Sequence, residues 1–150
     1  MIVKVYTDGS CFDSYSIGGW GVYIVFEDRE VRFSGYNECQ NSTSMELIAV
    51  LKALEYLSYH KEEIESVEFF VDCDYTVKLM KEFKAKEKIS FRTKTSFKNR
   101  KTLLMLTHYA SQLNINWHIV KSHRGIKGNE IADQLAKKAA KLRIKELERG

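Results

Sequence analysis

The chain has 150 residues, 44% of them hydrophobic and 29% charged, with a formal net charge of +4. This is the size and balance of one folded domain with a real core, which excludes a disordered or fibrous chain. No apolar run approaches the roughly 20 residues that a membrane span requires, so no membrane association is expected. The first residues enter a strand-like pattern at once, so no signal peptide is expected either.

The first third reads as strands. Ile2 to Asp8 is apolar and rich in β-branched residues, and Gly18-Gly19 opens a second run through Phe26. Glu27-Asp28-Arg29 is a turn, after which Glu30 to Tyr36 alternates, with Val31, Phe33 and Gly35 on one face. Such short connections predict an antiparallel three-stranded meander. A helix is expected from about Thr43 to Tyr59. There Leu47, Ile48, Leu51, Leu54 and Leu57 form one apolar stripe, and Ser42, Thr43 and Ser44 are N-cap candidates. Ser66 to Val71 is a fourth strand, and its position after a long helix predicts parallel pairing with an earlier strand. Asp74 to Phe83 reads as helical, Lys84 to Lys98 shows poor periodicity, and Asn99 to Leu113 is again a helix. Ile115 to Val120 is a fifth strand, and Gly128 to about Leu147 a terminal helix with Asn129 as its N-cap. The order βββαβααβα describes a single α/β domain over residues 1–150, a mixed sheet with helices packed against it.

Charge is segregated along this domain. From Lys78 to Lys101 there are ten basic residues against Glu82 and Glu87, a local charge of +8, while the remainder carries −4. One basic segment on an acidic body is the footprint of a polyanionic partner, whereas a solvated helix face would usually alternate its signs more evenly. The three cysteines, Cys11, Cys39 and Cys73, have no metal-type spacing. They are expected to be free thiols in a reducing cytosol.

Four carboxylates stand at predicted element boundaries: Asp8, Glu46, Asp72 and Asp133. Each has an ordinary explanation. Asp8-Gly9 is a turn signal at the end of the first strand, and Thr43-Ser44-Met45-Glu46 fits a capping box. Asp72 and Asp74 are candidates to cap a following helix, and Asp133 suits a helix dipole. Two features favour a shared site. Glu46 precedes Val50, Ala53 and Leu57 along one helix face, which points it toward the sheet, and Asp72 follows a wholly apolar strand segment, Phe69-Phe70-Val71, at the carboxyl end where α/β ligand sites form. Four carboxylates gathered at one point would repel and protonate unless divalent cations neutralised them. His123, just past the fifth strand, has a side chain that can handle protons near neutral pH.

Taken in order, Tyr6-Thr7-Asp8-Gly9-Ser10, Gly18-Gly19-Trp20-Gly21, Met45-Glu46-Leu47, Asp72 with Tyr75, and His123-Arg124-Gly125 running into Gly128-Asn129-Glu130-Ile131-Ala132-Asp133-Gln134-Leu135-Ala136 resemble type 1 ribonuclease H from Val5 to about Ala140. The resemblance implies a five-stranded mixed sheet of order 3-2-1-4-5, its first three strands antiparallel. It also implies an endonuclease that cuts the RNA strand of RNA–DNA hybrids, leaving 3′-hydroxyl and 5′-phosphate ends. Asp8, Glu46, Asp72 and Asp133 would hold two Mg²⁺ ions, with Mn²⁺ a possible substitute, and His123 would assist proton handling and product release. Gly9, Ser10, Cys11, Ser42 and Thr43 would read the RNA strand, where 2′-hydroxyls distinguish it from DNA, and Asn99 would hold a DNA phosphate. Ser42 and Thr43 stand where the family often has Asn or Gln, and Asp74 where it can have an uncharged amide. Lys84, Lys86 and Lys88 fall in a handle-like segment, about residues 84–101, that would add salt-dependent affinity. A monomer in the cytoplasm, with no organic cofactor, is expected. The alternatives are a non-catalytic hybrid-binding module, which would be expected to have lost a carboxylate, and a recombination nuclease of the same fold.

Overall fold

The computed structural model describes residues 1–39, 41–72, 76–78, 97–120 and 126–150. Five strands form one mixed sheet: β1 (Ile2–Phe12), β2 (Ile17–Val25), β3 (Glu30–Glu38), β4 (Ser66–Val71) and β5 (Ile115–Ile119). Their order is β3-β2-β1-β4-β5, with β1–β2 and β2–β3 antiparallel and β1–β4 and β4–β5 parallel. The expected meander, crossover and strand order are all present. The long α-helices among the described residues are α1 (Ser42–Ser58), α2 (Phe97–Ala110) and α3 (Lys127–Arg149).

The two faces of the sheet are filled differently. On one, Val3 and Val5 of β1, Val22 and Ile24 of β2 and Val67, Phe69 and Val71 of β4 meet Leu47, Val50, Leu54 and Leu57 of α1 and Leu103 and Leu106 of α2. These strand residues alternate, as a pleated strand with one buried face requires. On the other face lies α3, whose Ala132, Ala136 and Ala140 are fully buried. They rest on Gly19 and Gly21 of β2, where a Cβ would overlap the backbone carbonyls of Ala136 and Ala132. The same face carries a row of rings from four neighbouring strands, and the first turn of α3 rests on it, Gly128 lying against the ring of Tyr6. Tyr6 stacks on Tyr23 and on Phe70 with centroids 5.9 and 4.8 Å apart, and Phe70 stacks on His118 at 4.8 Å.

Several local expectations are corrected. β1 does not end at Asp8: it continues to Phe12, and Asp8 pairs with Gly21 of β2. Gly9 is therefore no turn. Its missing side chain lets β1 touch the backbone of Met45 and Glu46, so α1 starts in direct contact with the sheet. The N-cap of α1 is Asn41, whose Oδ1 accepts from the Ser44 amide at 2.9 Å, rather than Ser42, Thr43 or Ser44. That places Glu46 beyond the capping-box position, so it has no reason to reach back to the helix start. α3 begins at Lys127 with Ile126 before it, and Asn129 lies inside the helix, completely buried, instead of capping it.

The cysteine expectation is also overturned. Cys11 and Cys39 are joined in a disulfide. β1 and β3 flank β2, and neighbouring strands lie about 4.8 Å apart, so residues facing each other across a middle strand are normally nearly twice that distance apart. Cys39 lies just past the end of β3, beyond the start of β2, and there the two chains converge to a Cα–Cα distance of 6.1 Å. This pairing removes the cysteine argument for a reducing compartment. Cys73 lies outside the described residues.

Candidate active site

The catalytic candidates arrive from four elements. Asp8 sits mid-strand on β1 and Asp72 directly follows β4, its parallel neighbour. Glu46 projects from the second turn of α1, and Asp133 from the second turn of α3. One carboxylate oxygen from each of Asp8, Glu46 and Asp72 lies within 4.8 Å of the others. Asp8 and Glu46 are buried, with 3% and 7% of their surface exposed, and Asp72 is half-buried. The Gly9 amide donates to both Asp8 Oδ1 (2.9 Å) and Glu46 Oε1 (3.2 Å), fixing these two side chains with one backbone group. Asp133 reaches Asp8 from the other side, and its Oδ2 is paired with Lys137 Nζ one turn along α3 at 3.1 Å.

Electrostatics follow from this crowding. Burial pushes the Asp8 carboxyl well above its usual range, opposed by its hydrogen bond with Glu46 and reinforced by the charges of Asp72 and Asp133. Glu46 is raised more strongly, first by burial, then by its hydrogen bond with Asp8 and the charges of Asp8 and Asp72. Neither acid ionises comfortably beside the other without a cation between them. The donors are all carboxylate oxygens, the set preferred by hard cations such as Mg²⁺, and no thiol or imidazole joins them among the described residues.

The RNase H family model matches residues 1–141. The chain belongs to the ribonuclease H family. Among its relatives, the ribonuclease H of Ruthia magnifica subsp. Calyptogena magnifica is 36% identical over 140 residues, covering 89% of this chain and 92% of that protein. The ribonuclease H of Legionella pneumophila (strain Lens) is 37% identical over 139 residues, covering 91% and 94%. The fold is likewise that of solved ribonuclease H structures. An N-terminal RNase H domain from Mycobacterium tuberculosis superposes with a TM-score of 0.77 at 17% identity, covering 97% of this chain and 98% of that one. LC11-RNase H1, solved in complex with an RNA/DNA hybrid, gives 0.74 at 20% identity, covering 95% and 99%. Membership makes the chain a ribonuclease, hence an enzyme.

The remaining site expectations divide by position. Gly9, Ser10 and Cys11 are half-buried along β1 beyond Asp8, while Ser42 is exposed and Thr43 half-buried in the first turn of α1. Contact between Gly9 and the start of α1 makes these two segments neighbours. Asn99 lies on α2. His123, Asp74, Lys84, Lys86 and Lys88 lie outside the described residues. Sequence reasoning missed Asn41 as the cap of α1, the pairing of Cys39 with Cys11 and the burial of Asn129. The Asn41 signal was available, since Asn is as good an N-cap as Ser, but a run of Ser and Thr behind it concealed the start of the helix. No helix among the described residues is long and apolar enough to cross a membrane.

Proposed function

We propose that the chain is an endonuclease that hydrolyses the RNA strand of RNA–DNA hybrids in a divalent-metal-dependent reaction, leaving 3′-hydroxyl and 5′-phosphate ends. The observation that carries this reading is the convergence of Asp8, Glu46 and Asp72 oxygens within 4.8 Å, with Asp133 against Asp8. Asp8, Glu46, Asp72 and Asp133 would hold two Mg²⁺ ions. Bound there, the metal supplies an activated water and stabilises charge on the leaving oxygen. The chain's own contribution is to hold the acids ready. The Gly9 amide fixes Asp8 and Glu46, the parallel pairing of β1 with β4 brings Asp72 alongside, and the Lys137 ion pair orients Asp133. His123 is the proposed proton-handling group.

Hybrid recognition is assigned to Gly9, Ser10, Cys11, Ser42 and Thr43 for the RNA strand and Asn99 for a DNA phosphate. Lys84, Lys86 and Lys88 would contribute sequence-independent contact to the backbone. The enzyme is proposed to act as a monomer in the cytoplasm. The hybrid complex of LC11-RNase H1 supports the substrate class. Retention of all four carboxylates favours this reading over a non-catalytic binding module. The test is Asp72→Asn. Cleavage of a labelled hybrid in Mg²⁺ should fall by more than about 10²-fold, with hybrid binding retained. Cleavage close to the wild-type rate would remove Asp72 from the site.

A further inference from the structure

The disulfide between Cys11 and Cys39 plays no part in holding the carboxylates, yet it lies against the strip assigned to the hybrid. Cys11 is three residues beyond Asp8 on β1, and Cys39 is two residues before Asn41, the N-cap of α1. The bond therefore ties the Gly9–Cys11 segment to the chain that leads into Ser42 and Thr43. Among the described residues, the Cys39 amide also donates to the Ser16 carbonyl at 3.0 Å, and Asn41 Oδ1 accepts from the Ser44 amide at the helix end. The acids are anchored separately, by the Gly9 amide and by the contact of β1 with the backbone of Met45 and Glu46. Cys39 is 5% exposed and Cys11 is half-buried, so Cys11 is the more exposed of the two residues.

We propose that Cys11 and Cys39 form a thiol–disulfide site that sets affinity for the hybrid. Oxidised, it locks the two reading segments in one relative position; reduced, it releases the β3–α1 junction while leaving the carboxylates in place. Formation of the bond transfers two protons and two electrons to a disulfide oxidant such as oxidised glutathione, whose own S–S bond breaks to give two thiols. A small dithiol reverses this by exchange, returning two thiols and itself becoming a disulfide. The inference rests on the assignment of Gly9–Cys11 and Ser42–Thr43 as the hybrid-contacting strip.

The experiment uses the full chain purified without reductant and exposed to oxidised glutathione. Alkylation under denaturing conditions should find one reactive thiol before dithiothreitol and three after it. Hybrid affinity is then measured by fluorescence anisotropy without Mg²⁺, and KM and kcat by cleavage with it, before and after reduction. Loss of a preorganised contact strip should weaken Kd and raise KM by about three- to tenfold, with kcat unchanged within about twofold. Cys39→Ser should reproduce the reduced values and ignore dithiothreitol. Reduction of the wild type supplies the same comparison should that variant unfold. Three reactive thiols after oxidation would overturn the proposal, as would equal Kd in the two redox states or a change confined to kcat. Absence of cleavage in both states would count against the proposed reaction alone, because the ratio of affinities still decides the role of the bridge.

Discussion

The two faces of the sheet solve the same packing problem with opposite materials, and the carboxylates lie where the two solutions meet. Toward α1 and α2 the filling is large and side-chain-based: Phe69, Leu54, Leu57 and Leu106 are fully buried. Toward α3 it is nearly backbone-based, with alanines on glycines at Gly19 and Gly21. A side-chain core relaxes only in part around lost atoms, whereas a helix seated directly on strand backbone has nothing flexible to yield to added ones. Glu46 comes from the first face and Asp133 from the second. Gly21, beneath Ala132, pairs with Asp8 across the β1–β2 ladder. The intimate packing of α3 thus decides how close Asp133 comes to Asp8.

That contrast can be broken from either side. The largest loss of stability should come from Leu54→Ala, at about 2–5 kcal/mol in denaturant unfolding, because a fully buried side chain leaves a cavity. The folded fraction should keep its kcat. Gly21→Ala should cost less stability, about 1–3 kcal/mol, but lower kcat disproportionately, since the added methyl meets the Ala132 carbonyl and shifts the neighbouring Asp133. If both variants lose stability and turnover in the same proportion, the two faces are not distinct in function.

A pH experiment sharpens the point where the faces join. Asp8 and Glu46 are both raised above the ordinary carboxylate range in the folded chain, first by burial. At these two groups the folded state holds more protons than the unfolded one above roughly pH 4, so their contribution to stability falls as pH rises through that window. In EDTA the unfolding midpoint should drop between about pH 5 and 8, and Mg²⁺ should restore it most at the higher pH. A flat profile without metal would mean that the acids are not crowded. The smallest effect is expected from Asn41→Ala. Loss of the cap should cost about 1 kcal/mol by denaturant unfolding, with a slight rise in KM because Ser42 and Thr43 follow it directly.

Much of the arrangement was legible in the chain itself. Period-two runs and short turns determined the β1–β2–β3 meander, and a long helix before β4 dictated its parallel pairing with β1, because only a crossover can return the chain in that direction. The apolar stripe of α1 fixed which way Glu46 faces, and the motif order fixed the family. Tertiary structure decided what no local pattern encodes. Asp8-Gly9 is a turn signal in isolation, yet it runs straight on in β1 because the start of α1 needs the space a side chain would occupy. Asn129 suits a helix cap by type, yet it is buried within the first turn of α3. Cys11 and Cys39 are 28 residues apart with nothing in their spacing to pair them. Only the convergence of two strand ends past the start of β2 does so. Sequence specifies the periodicity and chemistry of each segment; distances between segments belong to the packed sheet, and the carboxylate cluster and the disulfide both consist of such distances.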